Sequence, residues 1–126
     1  MKIFIKISII FCVTSVILGA FGAHSLKNLL SIEQLSSFQT GIRYQMFHGL
    51  AILILSLNNN KFTSKLKVSL SLMSLGIIFF SFSIYLLSLQ NTFNLNLNYL
   101  GPITPLGGVF LITSWILLLF NVKKND

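Results

Sequence analysis

Long apolar stretches alternate with short polar ones along this chain. Four of the apolar stretches stand out, at about residues 3–23, 41–57, 66–89 and 105–120. At a helical rise of about 1.5 Å per residue, each can cross or nearly cross a hydrocarbon core of about 30 Å. Backbone amides in lipid must find partners within their own segment, so these stretches predict α-helices and not open strands. The second helix is expected to start earlier than its apolar part. Ser31-Ile32-Glu33-Gln34 reads as a capping box, with Ser31 as N-cap and Gln34 three residues on. Its first turns set Leu35 and Phe38 against Gln34, Ser37 and Gln39, an amphipathic pattern suited to the membrane interface. The expected fold class is therefore all-α. It is a single integral membrane domain over residues 1–126, a four-helix transmembrane bundle with helices at about 3–23, 32–57, 66–89 and 105–121.

The helix faces carry further pattern. Ser8, Cys12, Ser15, Gly19 and Ala23 fall on one face of the first helix, where a neighbour can approach closely. Lys2, Lys6 and Ala20-Phe21-Gly22 also fit a signal peptide. The length of the apolar run and its small-residue face favour an uncleaved helix. In the third helix Ser74, Ile78, Ser81, Tyr85 and Ser88 form a polar and small stripe, whose hydroxyls are expected to bond back to their own helix. At the start of the fourth, Thr104 is expected to cap and Pro105 to take the first helical position, with Gly107 and Gly108 allowing close approach.

Composition settles the solvent. Hydrophobic residues make up 54% and charged residues 9%, against about 25% charged in soluble domains. The formal net charge is +7, which on a soluble protein would point to nucleic acid. Here the cations flank apolar segments and no basic stripe lies on a polar helix, so nucleic acid is set aside. Lys2, Lys6, Lys61, Lys65, Lys67, Lys123 and Lys124 fall on one side of a four-span topology. The other side has Lys27 and an uncharged loop from 90 to 101. The positive-inside rule then places both termini in the cytoplasm. The lone Cys12 reads as a packing residue. The partners expected are the lipid bilayer and either further copies of the chain or another membrane protein.

Chemistry, if any, concentrates in Arg43-Tyr44-Gln45-Met46-Phe47-His48, a polar run leading into the second apolar stretch. Ionisable groups at that depth are costly. At about 100° per residue Gly41, Tyr44, Gln45 and His48 share a face, and Arg43 points nearly the other way. Tyr44, Gln45 and His48 are expected to face inward together, and Arg43 to meet a second neighbour or snorkel outward. Two readings stay open: a structural hydrogen-bond cluster, or a proton or ligand site. No metal site, cofactor or enzyme activity is expected. His24 lies at the end of the first helix while His48 is about 10 Å deeper by helix rise. No paired carboxylates, Ser-His-Asp set or phosphate loop exist in the sequence.

Four blocks resemble the YgdD/YwdK-type family of small multi-pass membrane proteins. They are Gly19-Ala20-Phe21-Gly22-Ala23-His24-Ser25-Leu26, Thr40 to Ala51 around Arg43-Tyr44-Gln45-Met46-Phe47-His48-Gly49, Phe80-Ser81-Phe82-Ser83-Ile84-Tyr85, and Gly101-Pro102-Ile103-Thr104-Pro105-Leu106-Gly107-Gly108. Phe82 departs from the pattern, at a position where a small residue is expected. The resemblance implies a bacterial inner-membrane protein of four helices, with relatives in eukaryotes and no characterised activity. In that topology His24, Arg43, Tyr85 and Thr104 all lie toward the outer half. With Tyr44, Gln45 and His48 they make a candidate intramembrane polar cluster. The function expected is a non-enzymatic structural or interaction component of the membrane. The alternative is a small oligomeric transporter or proton-coupled permease.

Overall fold

A computed structural model describes residues 1–123; Lys124, counted above among the C-terminal cations, lies outside the described residues. Helix α1 covers Lys2–Ala23, α2 Ile32–Leu57, α3 Leu66–Ile77, α4 Ser83–Leu89 and α5 Ile103–Leu119. A π turn at Ile78–Phe82 joins α3 to α4, so Leu66–Leu89 is one continuous rod. There are thus four rods, all helical. The one extended pairing among the described residues is an isolated bridge between Phe62 and Val122. Three rods, Lys2–Ala23, Leu66–Leu89 and Asn98–Leu119, are long and apolar enough to cross a membrane. The fourth, α2, is 26 residues long. Its polar residues, Glu33, Gln34, Gln39, Arg43, Gln45 and His48 among them, lower its apolarity below the others.

Local code explains the ends of α2. The Ser31 hydroxyl accepts from the Gln34 amide N–H at 3.2 Å, and the Gln34 side chain accepts from the Ser31 N–H at 3.0 Å, which is the reciprocal capping box. The start of α5 corrects an expectation. The helix runs 103–119, not 105–121, its N-cap is Pro102, and Thr104 makes no cap. The Thr104 hydroxyl instead pairs with that of Ser83 at 2.6 Å, so a tertiary partner displaces the local one. Pro105 still falls in the first turn, where a missing N–H costs nothing.

Packing follows small residues. Along α1, Ser8 and Ser15 are buried against α2, and Gly49 sits where an added Cβ would lie 3.2 Å from Phe11 Cβ and 3.3 Å from Cys12 Sγ. The far end of the row differs from expectation: Gly22 is buried beside Phe38, while Ala23 is exposed. In the third rod Ile78 is likewise exposed, and the inward position is held by Ile77, at 1% exposure. The reason is that Met73, Gly76 and Ile77 are the residues turned to the neighbouring rods. Leu111 of α5 packs so close to Gly76 that a Cβ there would lie 2.6 Å from its Cδ2. The backbone of the π turn rests directly on Gly107 of α5.

Two apolar clusters result. One gathers Phe11, Ile52, Leu70, Met73, Ile77 and Leu111; the other is Leu30, Phe38 and Tyr85. Outside, Val13, Val16, Ile17, Ile112, Ile116 and Leu119 are exposed, as a lipid-facing surface requires. At one end the α2–α3 loop is tied to the segment after α5. Thr63 N–H donates to Asn121 O at 2.8 Å and Lys123 N–H to Lys61 O at 3.0 Å. The Asn121 amide donates to Ser69 Oγ and its oxygen accepts from Thr63 Oγ1, both at 3.0 Å. Lys67 and Lys123 line one depression there together with Met1.

Candidate functional site

Between the two apolar clusters lies a polar layer built on Gln45, which has no exposed surface. Gly41, Gln45 and Gly49 recur every four residues and are the buried stripe of α2. The Gln45 Nε2 donates to Phe11 O at 2.9 Å and to Thr14 Oγ1 at 2.6 Å. Its Oε1 accepts from the Tyr85 hydroxyl at 2.8 Å. A carbonyl can only accept, so the contact with Phe11 O fixes which end of the amide carries nitrogen. Thr14 is itself aimed by its own helix, donating to Ile10 O at 2.8 Å. Both donors and the carbonyl of the amide are thus in use, and α1, α2 and α4 are joined at one point. Beside it the Ser81 hydroxyl donates to Gly41 O at 2.8 Å, an interhelical bond and not the return to its own helix expected from sequence. Ser74 and Ser83 do bond back, to Leu70 O and Phe79 O. Gly41 also admits the Tyr85 ring: a Cβ there would stand 2.6 Å from its Cε1. Phe38 covers the other side of that ring, with centroids 5.0 Å apart.

The seven candidate residues divide into separate places. Gln45 and Tyr85 meet in the layer. Thr104 pairs with Ser83, which also bonds Phe79 O within its own helix. Tyr44 and His48 do not face inward with Gln45: Tyr44 is 41% exposed and His48 half-buried. The physical reason is the glycine stripe, which turns Gln45 toward α1 and α4 and swings Tyr44 and His48 to the flank facing α5. There their rings stack at 5.8 Å, Tyr44 lies 4.5 Å from Phe80, and His48 meets the edge of Trp115 at 6.1 Å. Arg43 is exposed, with its Nη2 on Thr40 Oγ1 at 2.9 Å. His24 is exposed at the end of α1. Among the described residues no group of three or more His, Cys, Asp or Glu stands ready for a metal ion. Thr14, Ser83 and Trp115 are participants that sequence reasoning missed. Thr14 had one signal, its place beside Ser15 on the small-residue face.

Arg43 and Gln45 are two positions apart yet differ in consequence. Arg43→Ala removes one bond at an exposed site, and a loss within about 0.5 kcal/mol is expected. A melting curve of the purified variant within a degree or two of the parent checks this.

Among the described residues the fold is all-helical, its exterior apolar and its buried polar side chains bonded within and between the rods, which defines a small helical membrane protein. The chain belongs to the family described as protein of unknown function DUF423, which matches residues 18–108, a span containing all four sequence blocks. It is 36% identical over 124 residues to a UPF0382 membrane protein of Staphylococcus haemolyticus, covering 98% of each chain. To another of Staphylococcus aureus strain bovine RF122 it is 40% identical over 124 residues, again with 98% of each covered. To the UPF0382 membrane protein YwdK of Bacillus subtilis it is 38% identical over 126 residues, with 98% of each covered. No solved structure matches the chain.

Proposed function

We propose that the protein is a non-enzymatic four-helix component of the cell inner membrane, with both termini in the cytoplasm, acting through structure and through association with other membrane proteins or with copies of itself. The observation that carries this reading is the closed state of the Gln45 layer. Both amide hydrogens are donated within the chain and the amide oxygen accepts from Tyr85, which suits a fixed tie between helices. A permease path through Tyr44, Gln45 and His48 needs polar groups free to exchange partners. The division of those residues between the interior and the α5 flank speaks against one. The orientation rests on the cationic end, where Lys61 and Lys123 are held together by backbone pairing.

Three measurements test the proposal. In a Cys12→Ala background, Lys27→Cys is expected to react with an impermeant maleimide added outside intact cells, and Lys61→Cys to react only after lysis. Labelling of position 61 from outside would reverse the orientation. Purification in mild detergent is expected to retain a stoichiometric protein partner or a homo-oligomer. Proteoliposomes are expected to show no proton or solute flux above empty vesicles, and flux abolished by Gln45→Leu would replace this reading with the permease.

A further inference from the structure

His48 poses a question the polar layer does not answer. Its Nδ1 lies 2.7 Å from Tyr44 O. That oxygen can only accept, so Nδ1 carries the proton and Nε2 of the neutral ring is an acceptor. Nε2 has no partner among the described residues, and neither has the Tyr44 hydroxyl. Both residues line a side-opening crevice of about 350 Å³ between α2, the π turn and α5, with Phe80, Gly108, Ile112 and Trp115. His48 stands roughly 13 Å of helix rise before the end of α2. Trp115, which its ring meets, lies only one turn from the end of α5. The crevice therefore runs from near the end of α5 at Trp115 to the level of His48, well inside the length of α2, where an unpartnered acceptor is costly.

We propose that this crevice binds a quinol-class lipid, a flat hydroxylated ring on an apolar tail. A ring hydroxyl donates to Nε2 of His48, and the ring lies among Tyr44, Phe80 and Trp115. Depth and wall chemistry select this class. A phospholipid keeps its phosphate at the interface and carries no hydroxyl to this level, so the donor belongs to a small uncharged head group. Four aromatic and imidazole side chains around the opening favour a planar ring in offset or edge contact over an aliphatic alcohol. Gly108 leaves the floor free beside Phe80, where an added Cβ would make ordinary contact at 3.8 Å. The proposal concerns binding alone and goes beyond the structural reading above.

The chain's single tryptophan, Trp115, lies in the crevice and reports on it. Full-length protein in nanodiscs is titrated anaerobically with a short-chain benzoquinol while tryptophan fluorescence is followed. Saturable quenching is expected, with the dimethyl ether of the same ring binding about tenfold more weakly because it offers no donor. His48→Leu is expected to weaken quinol binding about tenfold and to remove the preference over the ether. Diacylglycerol is expected to compete poorly. Equal binding of quinol and ether to the native protein overturns the proposal and needs no variant to fold. So does quenching that never saturates, or diacylglycerol displacing the quinol as well as quinol itself does.

Discussion

Gly107→Ala is expected to destabilise the folded protein by about 3 kcal/mol, while the same change at Gly108 is near neutral or slightly stabilising. The two glycines are neighbours on α5 and share any gain in helix propensity, about 0.5–1 kcal/mol on replacing glycine by alanine. They differ in what the new methyl meets. At Gly107 it falls on the backbone of the π turn, 2.7 Å from Phe79 C and closer still to Phe80 N, and backbone cannot rotate away. At Gly108 the nearest atom is the Phe80 ring at 3.8 Å. Relief at Gly107 requires α5 to move off the third rod, which would also separate Thr104 from Ser83 and Leu111 from Gly76. Unfolding of both variants in one detergent by circular dichroism makes the comparison, and equal melting temperatures would show that the π turn does not rest on Gly107.

The second large effect is expected at Gln45. Gln45→Leu removes three hydrogen bonds at a site with no exposed surface. Interhelical bonds in membranes average about 0.6 kcal/mol each, and a buried Tyr85 hydroxyl left without a partner adds about 1–3 kcal/mol. A loss of about 3–5 kcal/mol follows. Tyr85→Phe alone is expected to cost less, since it strands only the amide oxygen. The double variant Gln45→Leu with Tyr85→Phe should recover part of the first loss, because the stranded hydroxyl is then gone. A double-mutant cycle read by denaturant unfolding gives the coupling. Strict additivity of the two losses would mean that the bond between Tyr85 and Gln45 does not form in the membrane.

Much of the fold was legible wherever local chemistry decides the outcome. Ser31 and Gln34 fix the start of α2, and the Asn58-Asn59-Asn60-Lys61 interruption marks its end. The small-residue face of α1 was legible because close approach has few residue types that permit it. Other features depend on which helix lies beside which. Thr104 has the local form of a cap, and only the arrival of Ser83 takes it away. Helical periodicity put Tyr44, Gln45 and His48 on one broad face; Gly41 and Gly49, four residues on either side of Gln45, decide which part of that face goes inside. Thr14 looks like any threonine bonding back to its own helix until Gln45 is brought against it. In a soluble helix an apolar stripe would have marked the inner face. Here α5 is apolar all round, and the pattern that normally points inward carries little information.

Phe38, Gln45 and Ile52 stand seven residues apart on α2, each at 1% exposure or less. An amide thus separates two apolar clusters, and this sets the register of the bundle. In lipid one apolar surface packs nearly as well against a neighbour as another, so a helix displaced by a turn would lose little van der Waals contact. It would, however, carry the Gln45 amide away from Phe11 O, Thr14 and Tyr85 and leave it facing hydrocarbon. A single polar position in an otherwise apolar seam specifies alignment in coiled coils in the same way. The Gln45 amide thereby discriminates among packings that the hydrophobic residues around it would treat as interchangeable.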